Sequence, residues 1–130
     1  MAEPRARTFE YEASVGPDGR IDALGESVVP PESWAPEHLV LAGLVDCSLT
    51  SLGYHAGRAG IEVSGSGSAS GTVTRREEDG RFAFVEIACR FDVRLTPPPD
   101  DLQDLLTRAE RDCFVGASLT AKPSYAWNVR

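Results

Sequence analysis

Positive charge is scarce in this chain of 130 residues: 13 lysines and arginines face 20 aspartates and glutamates, for a formal net charge of −7. An acidic chain repels phosphate backbones, so nucleic acid is not expected as a partner. No unbroken apolar run reaches the ~18 residues of a membrane span, so no membrane partner is expected either. The opening Met-Ala-Glu-Pro-Arg-Ala-Arg lacks the apolar stretch of a secretory signal, which points to a cytoplasmic protein. Cysteine is rare, at three residues. Three thiols cannot all pair within one chain, and structural disulfides are uncommon in a reducing compartment. The useful question is which thiols react. The two histidines, His38 and His55, lie 17 residues apart, and no Cys/His cluster has ligand spacing, so no metal is expected. The Gly/Ser-rich run is not followed by Lys-Ser/Thr, and no Gly-x-Gly-x-x-Gly opens a helix, so no nucleotide cofactor is expected.

What is present has the balance of an ordinary globular protein, 42% hydrophobic and 25% charged, and the length suits a single domain over residues 1–130. Residues 7–15 alternate, with Phe9, Tyr11, Ala13 and Val15 on one face, which predicts a half-buried strand. Gly16-Pro17-Asp18-Gly19 predicts a turn, Arg20–Leu24 a returning strand, and 25–35 an ordered loop. Pro36 opens a helix at a position where its missing N–H is tolerated, and Glu37 sits in the first turn, where the helix dipole favours an acid. The helix should run to about Gly57, and it is apolar nearly all round, with Asp46 the only charge between His38 and His55. Such a helix needs cover on every side, and one small sheet supplies only one. A second copy of the chain is the simplest further cover, so a homodimer with this helix at its centre is predicted.

Residues 61–74 resemble a flexible Gly/Ser linker in composition, but Ile61, Val63, Gly65, Gly67, Ala69, Gly71 and Val73 alternate strictly with Glu, Ser and Thr. Period 2 over that length predicts a strand whose small residues allow close approach of a helix. After a turn at Glu77–Gly80, Val85, Ile87, Cys89, Phe91, Val93 and Leu95 predict the inward face of a second strand. Pro97-Pro98-Pro99 ends it, Asp100 or Asp101 caps a helix, and Leu102, Leu105, Leu106, Ala109 and Cys113 form one helical face. Tyr125, Trp127 and Val129 alternate in a last strand. The predicted order is β-β-α-β-β-α-β, an α+β domain.

A cysteine on an apolar helix face is most often a small core residue, and that ordinary reading applies to Cys47 and to Cys113. Cys89, on the inward face of a strand, reads as core filler. Taken alone, Glu37 is a first-turn acid.

The segment Ala35-Pro36-Glu37-His38-Leu39, then Ala42-Gly43 and Cys47 ten residues after Glu37, resembles the OsmC/Ohr family. Arg108-Ala109-Glu110-Arg111-Asp112-Cys113 resembles the segment around that family's second cysteine. The resemblance runs from Phe9 to the end. It implies an OsmC-like fold in an intertwined homodimer, and a thiol peroxidase acting on organic hydroperoxides. It implies Cys47 as the peroxidatic thiol and Cys113 as the resolving one. An arginine held by Glu37 would activate Cys47; Arg20 is the first candidate, Arg5 and Arg7 the alternatives. The reductant it implies is an external dithiol, often of lipoyl type, with no bound cofactor. Ten helical residues span ~15 Å, so Glu37 cannot touch its own Cys47, whereas antiparallel pairing of two such helices brings Glu37 of one chain towards Cys47 of the other.

The chain departs from the family's common pattern at three places. Phe114 follows the second cysteine where many members have proline, Ser48 stands where an aromatic often follows the first, and Asp46 precedes Cys47. An acid acting on Cys47 would hold that thiol protonated. Two other readings stand beside the peroxidase. One is a non-catalytic dimer of the same fold binding a small apolar ligand. The other is a hot-dog-type thioesterase using Asp46, against which the helix from 100 to 113 speaks.

Overall fold

The computed structural model describes residues 6–130. The chain forms two compact units, the first ending at Ala35 and the second comprising Pro36–Arg130.

The first unit is a small antiparallel sheet of β1 (Ser14–Val15), β2 (Ile21–Ala23) and β3 (Glu26–Val28), in that order. The Gly-Pro-Asp-Gly turn closes as expected: the Gly16 N–H donates to Arg20 O at 2.9 Å, and the Gly19 N–H to Gly16 O at 3.0 Å. Leu24 and Gly25 both have positive φ, 54° and 76°, which is the two-residue hairpin geometry that matches strand twist. That hairpin makes β3 out of residues predicted as loop. The strand predicted over 7–15 is a correction: only Ser14 and Val15 pair, with Ile21 and Asp22, and Phe9 and Tyr11 are exposed. Alternation marks a face that wants cover, and among the described residues Phe9, Tyr11 and Val15 of that face are exposed.

In the second unit, α1 (Pro36–Arg58) starts where Pro36 and Glu37 predict. By length and a mean hydropathy of 1.2 it has the composition of a membrane span. Yet its stripe of Leu44, Ser48, Ser51, Leu52 and Ala56 is buried within the unit. That stripe packs on a sheet of β4 (Glu62–Arg75), β5 (Phe82–Thr96) and β6 (Ser124–Val129) and on α2 (Leu102–Arg111). β4 and β5 are antiparallel and β5 and β6 parallel, in the order β4-β5-β6.

The Gly/Ser run is thus a strand, and its glycines are explained by what they touch. A Cβ on Gly67 would lie 2.6 Å from the Phe91 ring and 3.0 Å from Val45 Cγ1. The missing side chain lets α1 lie directly on the sheet, over Phe91, which itself stacks on Trp127 with ring centroids 4.2 Å apart. On β5 the inward residues are Ile87, Cys89, Phe91, Val93 and Leu95, all buried. Val85 departs from the predicted face and is 44% exposed. The register shifts between Thr72 and Val73, so that Thr72 pairs with Glu86 and Val73 with Phe84. Val85 is the extra residue of a bulge, and Phe84 packs against the core in its place.

Asp101 caps α2, its side chain accepting the Asp104 N–H at 3.0 Å. The second helical segment is broken, which the sequence reading did not anticipate: α2 stops at Arg111 and a short α3 (Phe114–Ser118) follows. Cys113 is therefore not on the α2 face but is the N-cap residue of α3.

The close approach at Gly67 has a stability consequence. Gly67→Ala should lower the unfolding free energy by ~1–3 kcal/mol through overpacking, whereas Ser66→Ala, on the opposite face of β4, should stay within ~0.5 kcal/mol of wild type. Urea denaturation of both variants measures this, and equal stabilities would contradict the packing described.

Candidate functional site

Cys47 is carried on α1 one residue before the buried Ser48, so it lies at the edge of the buried stripe and is partly exposed. Cys113 is fully buried. The break between α2 and α3 folds the chain over Cys47. The Val115 N–H donates to Cys47 Sγ at 3.5 Å, the Phe114 N–H also reaches that sulfur, and the Cys113 side chain is its hydrogen-bonding neighbour. Cys113 Sγ in turn accepts the Gly116 N–H at 3.4 Å. All three cysteines are free thiols.

Polar side chains of α1 hold this arrangement. The Ser51 hydroxyl donates to Ala109 O at 2.8 Å. His55 Nε2 lies 2.7 Å from Asp112 Oδ2; the carboxylate accepts and the ring N–H donates. Asp112 also accepts from Arg111, and these partners hold its carboxyl down at about 2, with the Arg111 contact the larger cause. Ser48 Oγ lies 3.4 Å from Cys113 Sγ.

The electrostatics of Cys47 are a contest. Burial is the largest influence and pushes the thiol above its ordinary value. The Val115 N–H opposes it, the neighbouring Cys113 adds to it, and the Phe114 N–H opposes it in a smaller degree. Cys89 lies deeper, where burial and then the nearby Cys113 push its thiol up to about 11, in keeping with its reading as core. Asp46 is exposed and lines a groove between α1 and β4 with His38, Val45 and Gly67; it is not among the groups that act on the Cys47 thiol.

The other predicted site residues are placed as follows. Glu37 is exposed in the first turn of α1, ~15 Å along the helix from Cys47. Arg20 belongs to the first unit, where its Nε bonds Asp22 at 3.0 Å. Arg7 lies over the Phe9 ring, 5.4 Å from its centroid. Arg5 falls outside the described residues. Sequence reasoning missed Ser48, Tyr125 and the backbone donors of 114–116. The one available signal was a serine on the buried stripe of an otherwise apolar helix.

The OsmC-like protein family matches residues 30–128. The chain belongs to that family. Solved OsmC-like structures agree over nearly the full length. An OsmC-like protein of unknown function from Vibrio cholerae is 16% identical, with a TM-score of 0.71 over 98% of this chain and 100% of that one. An OsmC-like protein from Mycoplasma pneumoniae is 14% identical, with a TM-score of 0.68 over 97% and 98%. The organic hydroperoxide resistance protein OhrB of Bacillus subtilis is 20% identical, with a TM-score of 0.56 over 95% and 98%. At such identities the likeness speaks for the fold, which is OsmC-like α+β. No curated protein matches the chain.

The contest at Cys47 has a testable sign. Because Cys113 raises the Cys47 thiol, its removal should let Cys47 ionise at lower pH. The midpoint of Cys47 alkylation by iodoacetamide, followed against pH, should therefore fall in Cys113→Ala. A midpoint that stays put or rises would contradict the arrangement.

Proposed function

We propose that this OsmC-like chain is a thiol-dependent peroxidase for organic hydroperoxides. The observation that carries the reading is the placing of a partly exposed thiol, Cys47, directly against a buried one, Cys113, from elements far apart in the chain. A pair of that kind suits a peroxidatic and a resolving cysteine. The Cys47 thiolate attacks the O–O bond of the hydroperoxide, taking one oxygen as a sulfenic acid and releasing the alkoxide, which leaves as alcohol. Cys113 then attacks the Cys47 sulfur; the S–S bond forms, and the sulfenic hydroxyl leaves with the Cys113 proton as water. An external dithiol, of lipoyl type, returns both thiols, in the reducing cytoplasm. Cys47 belongs with apolar residues such as Val45, Leu49 and Val115 to the layer packed against the core, surroundings that favour an organic peroxide over a small polar one.

Burial disfavours the Cys47 thiolate, so the proposed site needs a cation. A homodimer is the proposed source, with an arginine of the N-terminal unit, Arg20 first, steadied by Glu37 across the paired helices. Two features favour such pairing. The outward face of α1 presents Leu39, Val40 and Tyr54, the last 58% exposed, and a Cβ on Gly43, Gly53 or Gly57 would meet nothing within 4 Å. In its sheet β4 pairs with β5 alone, leaving an edge without charge from Val63 to Thr74, the kind of edge that accepts another strand.

Wild type should turn over cumene hydroperoxide with dithiothreitol or dihydrolipoamide. Cys47→Ser should lose at least about a hundredfold, as loss of a nucleophile does. Cys113→Ser should react once and then accumulate Cys47 sulfinic acid. Titratable thiols unchanged by peroxide in wild type would sink the proposal. Sedimentation at micromolar concentration should give twice the 14.0 kDa of the chain; a single-chain species alone would refute the shared site.

A further inference from the structure

Ser48 is 1% exposed, and its surroundings leave its hydroxyl little choice. Its Oγ donates to Leu44 O at 2.8 Å, and a carbonyl can only accept. A hydroxyl has one proton, so towards Cys113 Sγ, 3.4 Å away, Ser48 can only accept. The contact therefore requires Cys113 to be a thiol whose S–H points at Ser48. The Tyr125 hydroxyl is a further polar neighbour of Ser48, and burial, the larger influence, pushes that phenol up to about 12. With its proton on Leu44 O, the Ser48 hydroxyl meets the Cys113 sulfur as an acceptor.

A simple structural account exists: buried serines in helices commonly bond back to the carbonyl four residues earlier. That account explains the Leu44 bond. It leaves unexplained why the hydroxyl lies against a sulfur and a phenol as well. The chain also differs here from the family's common pattern, in which an aromatic side chain often stands in place of this small hydroxyl.

We propose that Ser48 is a positioning residue for the resolving step, holding the Cys113 thiol in the resting site and turning its own proton to the sulfur when Cys113 ionises. The inference rests on the peroxidase reading for its role in turnover, though not for the chemistry of the contact. Leu44 O loses nothing essential when the hydroxyl turns away, because it keeps the helical bond from the Ser48 N–H. The Cys113 sulfur then receives two donors, Ser48 O–H and Gly116 N–H. Held there, it attacks the Cys47 sulfur. Cys113 has lost its proton before this step; in it the Cys47 S–O bond breaks as the S–S bond forms, and the departing hydroxide takes up a proton equivalent to the one Cys113 gave up and leaves as water.

The test separates this role from peroxidase activity. Ellman's reagent converts Cys47 to a mixed disulfide with release of one thionitrobenzoate; attack by Cys113 on the Cys47 sulfur then releases a second. Cys113→Ser should show only the first release. In Ser48→Ala the first release should keep its wild-type rate, and the second should slow roughly tenfold, the scale of one lost hydrogen bond to a charged group. Ser48→Thr, which restores a hydroxyl, should return the second rate to within about threefold of wild type. With peroxide, Ser48→Ala should accumulate more Cys47 sulfinic acid than wild type. A second release as fast as wild type in Ser48→Ala would overturn the proposal. So would equal slowing of both releases, or failure of Ser48→Thr to recover the second. If peroxide leaves the wild-type thiols untouched while the second release still needs Ser48, the peroxidase reading falls and the Ser48 role stands.

Discussion

Ser48, Ser51 and His55 stand on one stripe of α1, at i, i+3 and i+7, and each is bonded to the chain between Ala109 and Cys113. The rest of the site depends on this ladder. An amphipathic α2 burying Leu105, Leu106 and Ala109 would pack on α1 in several registers with similar apolar area. A hydroxyl bonded to a specific carbonyl and a ring nitrogen bonded to a specific carboxylate select one of them. Each such bond contributes only ~1 kcal/mol net, but a slipped register would take Ala109 O from the buried Ser51 hydroxyl, at ~1–3 kcal/mol. The selected register ends α2 at Arg111 and brings Cys113 beneath Cys47. Trp127 adds an anchor from the sheet side, its Nε1–H donating to Glu110 at 3.0 Å.

This geometry sets two demands against each other. Bringing Cys113 close requires burial, and burial is what most strongly holds the Cys47 thiol protonated. The chain offsets part of this with backbone donors, since Phe114 and Val115 both direct N–H groups at the Cys47 sulfur. Neutral donors oppose desolvation less strongly than a full positive charge does. The imbalance and the uncovered face of α1 concern the same helix, and Cys47 lies between its buried and exposed sides. Cover for Leu39, Val40 and Tyr54 and a cation for Cys47 would thus fall in one neighbourhood, and the proposed homodimer would supply both from one partner.

The sequence was legible where a single periodicity dominates. Pro36 and Glu37 mark the start of α1, and strict alternation identifies β4 despite its linker-like composition. Glu37 ten residues before Cys47, with Cys113 in its segment, marks the family. It was less legible where tertiary context overrides pattern. Residues 7–13 alternate as a strand does, but among the described residues the pairing begins only at Ser14. Val85 belongs by parity to the inward face, and a bulge visible only in the pairing turns it out. Leu102 to Cys113 fits one helical face by spacing, yet the chain leaves the helix after Arg111, and Cys113 caps the next one. Ser48 could be placed on a buried stripe, but its partners come from 65 and 77 residues further along, beyond any local signal.

The departures from the family's common pattern take on a physical meaning in that setting. A proline after the second cysteine has no N–H; Phe114 has one, and it points at Cys47. An aromatic side chain often stands in Ser48's place; Ser48 has a small hydroxyl there, and it meets Cys113. Both changes add polar hydrogens around sulfurs without adding charge. They act at different atoms, one at each thiol, and both lie within the α1–α3 contact. Each sulfur thus has neutral donors of its own, Phe114 and Val115 N–H at Cys47 and Gly116 N–H at Cys113, and none of them carries a charge.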